Sequence, residues 1–234
     1  MIFTFWEGKM PDYIRMCLET WKLPYIMLNY DNLREYTDYD IEGTKRFTLP
    51  QVSDAVRAHV LRDNGGYWLD ADTIMITGKL PTENVIGDPV KRTHSTGVSH
   101  YTEEAKDFFK YWAKYQDEVI ANPHHLNHWS VLVNMFTDGY VDSHKEVTIS
   151  EIRKCRPELD MIKSGESYDK YVQFYFGRDY HLSDIQPIDI LVLHNSWTPD
   201  WYKKLTREQV LESKCTMSNV LREVLGNAID ADKA

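Results

Sequence analysis

The chain is short of positive charge: 27 Lys and Arg stand against 36 Asp and Glu, a formal net charge of −9 at pH 7. No long basic stripe is available to neutralise phosphates, which argues against a nucleic-acid partner. Cysteine is scarce too. Cys17, Cys155 and Cys215 are odd in number, scattered and without CxxC spacing, so reduced thiols are expected rather than a disulfide framework. No apolar run reaches the length of a membrane span, and the first residues lack a charged-then-apolar leader. There is no internal repeat and no low-complexity linker. These absences predict a cytoplasmic protein with a single domain. Aromatics, by contrast, are plentiful, with seven Trp and fifteen Tyr. Most are expected in the core, but so many amphipathic rings also suit a cleft that stacks sugars or bases.

Taken in order, the pattern predicts a strand over Ile2–Trp6, a helix over Met10–Trp21 and a second strand over Tyr25–Leu28. A polar loop over Asn29–Asp40 follows, then a helix over Asp54–Arg62 and a strand from Tyr67 through Asp70. This alternation is that of an α/β protein with a mainly parallel sheet flanked by helices. Further on, helices are expected over Glu103–Val119 and His125–Phe136. Val141–Ser164 has no clear pattern, and Ile188–Leu193 is an apolar strand. The tail opens on a capping-box pattern, Thr206 to Gln209, continues as a helix over Val210–Leu225 and meets a stop signal at Gly226.

The stretch Ser53 to Ile76 carries the chemistry. Gly65-Gly66 lets the backbone turn sharply from the helix into an apolar run holding Asp70 and Asp72. That run reads as one strand, so Trp68, Asp70 and Asp72 are expected on one face, with the carboxylates about 6.8 Å apart. Two like charges there call for a positive partner. A hard divalent cation prefers carboxylate oxygens, and Mn²⁺ also accepts an imidazole. His194 ends another apolar strand, and parallel α/β sheets bind ligands beyond their strands' carboxyl ends, so Asp70, Asp72 and His194 are candidate ligands of one ion. Asp54 and Arg57, three apart, share a helix face. They read either as a modest ion pair or as groups for sugar hydroxyls and phosphate.

The string Ser53-Asp54-x-x-Arg57, then Gly65-Gly66-Tyr67-Trp68-Leu69-Asp70-Ala71-Asp72, resembles the signature of retaining DXD-sugar glycosyltransferases. These include the capsular polysaccharide synthesis glycosyltransferases, the yeast initiation-specific mannosyltransferases and, more distantly, the glucosylating clostridial toxins. The ending His194-Asn195-Ser196-Trp197-Thr198-Pro199 is similar to the capsular branch. The likeness covers roughly residues 1–80 and 185–205.

What the resemblance implies is a single GT-A-type domain with extra C-terminal helices. It would comprise a nucleotide-sugar half (1–80), a helical acceptor side (81–187), a metal- and diphosphate-closing segment (188–205) and a helical tail (206–234). It would transfer galactose or glucose from a UDP-sugar, with Mn²⁺ or Mg²⁺, to a saccharide acceptor carried on a polyprenyl diphosphate. Peripheral contact with the inner face of the cell membrane would follow. By the same likeness Trp6 flanks the uracil, Asp54 holds sugar hydroxyls, and Arg57 contacts sugar or phosphate. Asp70 binds ribose or sugar and shares the metal, Asp72 is the principal metal ligand, and His194 completes the set. Asn195, Ser196 and Trp197 lie at the diphosphate. The toxins carry a carboxylate near the position of His194, so its metal role follows the capsular branch.

Two other readings of the acidic run compete. Leu69-Asp70-Ala71-Asp72-Thr73 also fits the DxDxT of haloacid-dehalogenase-type phosphatases, although two strand–helix units precede it and no later DD or GDxxxD pair occurs. A carbohydrate-binding protein without catalysis could use the same residues. His124, His125 and His128 have spacing that a zinc site could use, but no carboxylate or Cys lies close in sequence, so a helix start or acceptor-pocket wall, with Asn127, explains them better. Lys203, Lys204 and Arg207 suit a diphosphate, an anionic membrane surface or a solvated turn.

Overall fold

The computed structural model describes residues 1–45, 47–82, 97–103, 106–121, 167–185 and 189–231. The expected helix His125–Phe136, the segment Val141–Ser164, the histidines His124, His125 and His128 with Asn127, and Cys155 lie outside them. The chain forms two compact units and threads through both more than once. The first comprises Met1–Gly8, Pro24–Asp70 and Pro81–Ile152; the second comprises Lys9–Leu23, Ala71–Leu80 and Arg153–Ala234.

In the first unit, β1 (Ile2–Phe5) pairs in parallel with β2 (Tyr25–Leu28) on one side and β3 (Gly66–Leu69) on the other. β5 (Val98–Tyr101) adds to β3 in antiparallel fashion, giving the order β2-β1-β3-β5. The sheet is therefore mixed and mostly parallel. All four residues of β1 are buried, as an inner strand requires, while β2 at the edge leaves Tyr25 exposed. Besides the short α2 (Ile41–Thr44), the unit contains α3 (Leu49–Asn64) and α4 (Lys106–Ala121), which pack on each other. Their Val52, Val56, Val60, Phe108, Phe109 and Trp112 join Phe3, Phe5 and Trp68 in one core.

Helix α3 starts five residues before the Asp54 expected from sequence. Pro50 sits in its first turn, where no N–H is needed, and Thr48 and Gln51 form a capping box. Its buried residues run from Gln51 to Leu61 with few gaps, so this is an interior helix and its polar side chains are held inside the unit.

Gly65 and Gly66 have φ of +65° and +86°. At Gly66 a Cβ would lie 2.5 Å from the Met1 carbonyl oxygen. That oxygen is pinned by the Tyr67 N–H at 2.9 Å and cannot retreat cheaply. Gly66→Ala is thus expected to cost about 2 kcal/mol or more, read as a lower urea midpoint; an unchanged midpoint would show the turn to be pliable.

The acidic run is not one strand. β3 ends at Leu69, Ala71 and Asp72 form a turn, and β4 (Thr73–Met75) belongs to a separate two-stranded sheet. The expectation that Trp68, Asp70 and Asp72 share one strand face at a fixed spacing is corrected, since that alternation holds only while the strand continues. Asp favours turns over strands, and two of them in three residues end the ladder.

In the second unit, β4 pairs antiparallel with β6 (Ile190–Val192), in the register Thr73↔Val192 and Met75↔Ile190. This corrects the placement of the apolar run before His194 in the parallel sheet. Helix α1 (Asp12–Glu19) buries Tyr13, Ile14, Met16, Cys17 and Leu18. The residues just after it anchor β4: Trp21 Nε1 donates to the Thr73 carbonyl at 2.8 Å, and Thr20 Oγ1 accepts from the Met75 N–H at 2.9 Å.

The remaining helices of this unit are α5 (Ser167–Phe176), α6 (Asp200–Lys203), α7 (Arg207–Glu212) and α8 (Thr216–Ala231). The Thr206–Gln209 capping box is present. The tail is nevertheless two helices instead of one over Val210–Leu225, and α8 runs through Gly226 rather than stopping there. Cys17 and Cys215 are buried free thiols. Among the described residues no helix is long and apolar enough to cross a membrane.

Candidate active site

In the first unit a charged cluster forms where α3 faces the end of β3. Arg57 is only 2% exposed, and its Nη2 donates to Asp70 Oδ1 at 2.6 Å. Trp68 Nε1 donates to the same oxygen at 2.7 Å, and the guanidinium lies 5.2 Å from the Trp68 ring centroid, a cation–π arrangement. Asp54, one turn before Arg57, faces Nη1 at 3.4 Å without the alignment of a hydrogen bond; Nε and Nη1 have no hydrogen-bond partner among the described residues.

One guanidinium thus faces two carboxylates. The side chain of Asp70 is 29% exposed, and its Oδ2 accepts no hydrogen bond among the described residues. Helix α4 secures the cluster from behind. Gln116 Nε2 donates to the Asp54 carbonyl at 3.0 Å, and the buried His59 ring bonds the Ala55 carbonyl at 2.8 Å and Asp117 Oδ1 at 2.9 Å.

Burial pushes the Asp54 carboxyl up to about 6; Arg57 opposes the rise and Asp70 adds to it. Because the folded value lies above the unfolded one, the folded state holds the extra proton between about pH 4 and 6. The site's contribution to stability therefore falls as pH rises through that window, by at most about 3 kcal/mol. Asp54→Asn cannot titrate. Relative to wild type it is expected to gain stability from pH 4 to pH 7, read by urea denaturation at both; parallel pH profiles would contradict this.

In the second unit the turn after β6 is tied to Asp72, which is 8% exposed. The Leu193 N–H donates to the Asp72 carbonyl at 3.3 Å, and the Asn195 N–H donates to Asp72 Oδ2 at 2.6 Å. His194 lies between these two bonds. Its own N–H donates to the Tyr171 hydroxyl at 3.1 Å, and its ring meets Tyr171 and Trp197, with centroids at 5.5 and 4.2 Å. The Tyr13 hydroxyl donates to Asn195 Oδ1 at 2.5 Å. Burial first, then the charge of Asp72, push both the Tyr13 hydroxyl and the Cys17 thiol up, so both stay protonated.

The structure therefore brings Asp54, Arg57 and Asp70 together in one unit, and Asp72, His194 and Asn195 in the other. Among the described residues no three His, Cys, Asp or Glu gather as a metal cluster. Trp6 follows β1 and is partly buried, with its Nε1 unbonded among the described residues; Ser196 is exposed. Arg207 pairs with Glu19 at 2.6 Å and Lys203 with Asp200 at 3.8 Å, which leaves the basic turn less charged than its sequence implies. Tyr13 and Tyr171 were not singled out from sequence. Tyr13 falls in the expected helix Met10–Trp21 and Tyr171 in no expected element, and nothing local to either points to its partner, Asn195 for the first and His194 for the second.

A family model described as capsular polysaccharide synthesis protein matches residues 1–148. The chain belongs to this family. The capsular polysaccharide synthesis match takes in Asp54, Arg57, Asp70 and Asp72, and ends before His194–Trp197. No curated protein and no solved structure matches the chain.

Proposed function

We propose that the chain is a metal-dependent retaining glycosyltransferase of the GT-A type. It moves galactose or glucose from a UDP-sugar to a saccharide acceptor on a polyprenyl diphosphate, working at the inner face of the cell membrane. Membership of the capsular polysaccharide synthesis family supports a role in building surface polysaccharide. The observation that carries the reading is the cluster in which, among the described residues, Arg57 faces both Asp54 and Asp70 and one Asp70 oxygen accepts no hydrogen bond. Carboxylates in surplus favour the positive charge that grows at the anomeric carbon as the glycosidic bond breaks. Carboxylate oxygens also accept hydrogen bonds from sugar hydroxyls.

In this reading Asp54 and Asp70 hold and polarise the donor sugar, and Arg57, buried with its Nη2 on Asp70, keeps that carboxylate in place. Trp6 flanks the base. Asn195, Ser196 and Trp197 take the leaving diphosphate. Asp72 and His194, joined through the turn after β6, would hold Mn²⁺ with the mixed oxygen and nitrogen donors it accepts. Asp70 would be a further carboxylate donor, beside the substrate phosphates. Such an ion, when bound, neutralises charge on the departing phosphate as a Lewis acid.

The test is a panel of nucleotide sugars with Mn²⁺, following nucleotide release with and without EDTA, beside p-nitrophenyl phosphate. Turnover of a UDP-hexose that EDTA abolishes is expected. Hydrolysis of p-nitrophenyl phosphate alone would instead make the chain a phosphatase. Sugar binding with no turnover would make it a binding protein.

A further inference from the structure

We infer that Tyr13 is a positioning residue: its hydroxyl fixes the side-chain amide of Asn195 so that Nδ2 is presented as a donor to the diphosphate of a bound nucleotide. This rests on the nucleotide-sugar reading above and adds a residue that the sequence did not assign.

A side-chain amide has an acceptor end and a donor end, and its neighbours decide which way it faces. At Asn195 both the backbone and the acceptor end are committed. The backbone N–H donates to Asp72 Oδ2 at 2.6 Å, and Oδ1 accepts from the Tyr13 hydroxyl at 2.5 Å. Tyr13 is wholly buried on α1 and is held by the ring of Tyr202, with centroids 5.6 Å apart. The turn is closed by Thr198, whose hydroxyl donates to the His194 carbonyl at 3.2 Å. What remains is the Nδ2 group, with no hydrogen-bond partner among the described residues, on a side chain that is only partly buried. Two unshared N–H bonds on a rigidly held amide make a donor for an anionic oxygen, pre-set before the ligand arrives. Without the Tyr13 hydroxyl the amide rotates, and its oxygen can face the anion.

The experiment is calorimetric titration of UDP in the presence of Mn²⁺, with thermal unfolding of each protein alongside. Asn195→Asp keeps the acceptor for Tyr13 but replaces the donor with an anion, and is expected to bind UDP at least tenfold more weakly. Tyr13→Phe is expected to bind several-fold more weakly. Tyr202→Phe is the control, because it also deletes a buried hydroxyl in this unit, one bonded to Ser218 Oγ at 2.9 Å; its UDP affinity should match wild type even if its unfolding temperature falls. Wild-type affinity in Tyr13→Phe or in Asn195→Asp overturns the inference, as does an equal loss in Tyr13→Phe and Tyr202→Phe, which would mean general packing. A wild-type protein that binds no UDP overturns the nucleotide-sugar reading and this role with it.

Discussion

Arg57→Ala should destabilise the protein by about 3–5 kcal/mol and lower transfer at least about a hundredfold. The stability loss is electrostatic in origin. Asp54 is 8% exposed and Asp70 is held at 2.6 Å by the guanidinium; without it, two carboxylates are left inside the first unit with no counter-charge among the contacts described for them. Part of the loss should be recovered in mild acid. Arg57 holds down a pKa that burial has already raised, so its removal pushes Asp54 higher, and protonation at pH 5 relieves the repulsion. The deficit relative to wild type should therefore be smaller at pH 5 than at pH 7, which urea denaturation at the two values measures. Arg57→Lys separates charge from shape. An ammonium neutralises the carboxylates, but it has no planar fork for Asp70 and does not lie flat against the Trp68 ring. Stability should return in part while turnover stays low. An Ala variant with near-normal turnover would remove Arg57 from the catalytic machinery.

The parts of this architecture that local chemistry dictates could be read from the sequence. β2 lies over Tyr25–Leu28 as its apolar run indicates, and the Thr206–Gln209 capping box stands where its spacing puts it. The Trp68–Asp70 contact also follows from residues two apart on an extended backbone. The errors lie where a local signal meets a tertiary one. The helix expected from Asp54 begins at Leu49, with Pro50 in its first turn; Gly226 looks like a stop, yet α8 continues past it. The largest error is at Asp70–Asp72. The apolar residues on both sides suggest one strand, but the acids make a turn and the two halves join different sheets. Pairing partners are settled by the whole chain. The same holds for the two clusters: a three-residue spacing puts Asp54 and Arg57 on one helix face, whereas Tyr13 reaches Asn195 across 182 positions, a separation that no local pattern reports.

Asp72→Asn tests the cluster in the second unit. The substitution keeps size and shape, and the amide oxygen can still accept the Asn195 N–H now bonded to Oδ2 at 2.6 Å. The turn after β6 should therefore persist, with little change in unfolding temperature. What disappears is the negative charge, and with it the hard oxygen donor for a divalent cation. Transfer should fall about 10²–10³-fold, and Mn²⁺ titration should show weaker binding. Asp72→Ala removes both functions, because it also leaves the Asn195 N–H without its acceptor, so it should lower the unfolding temperature as well as turnover. The two variants thus divide the role of this side chain into charge and scaffold. Equal turnover loss with unequal stability loss assigns the chemistry to the charge. An Asn variant that turns over close to wild type would instead confine Asp72 to holding the turn, and the metal would need other ligands.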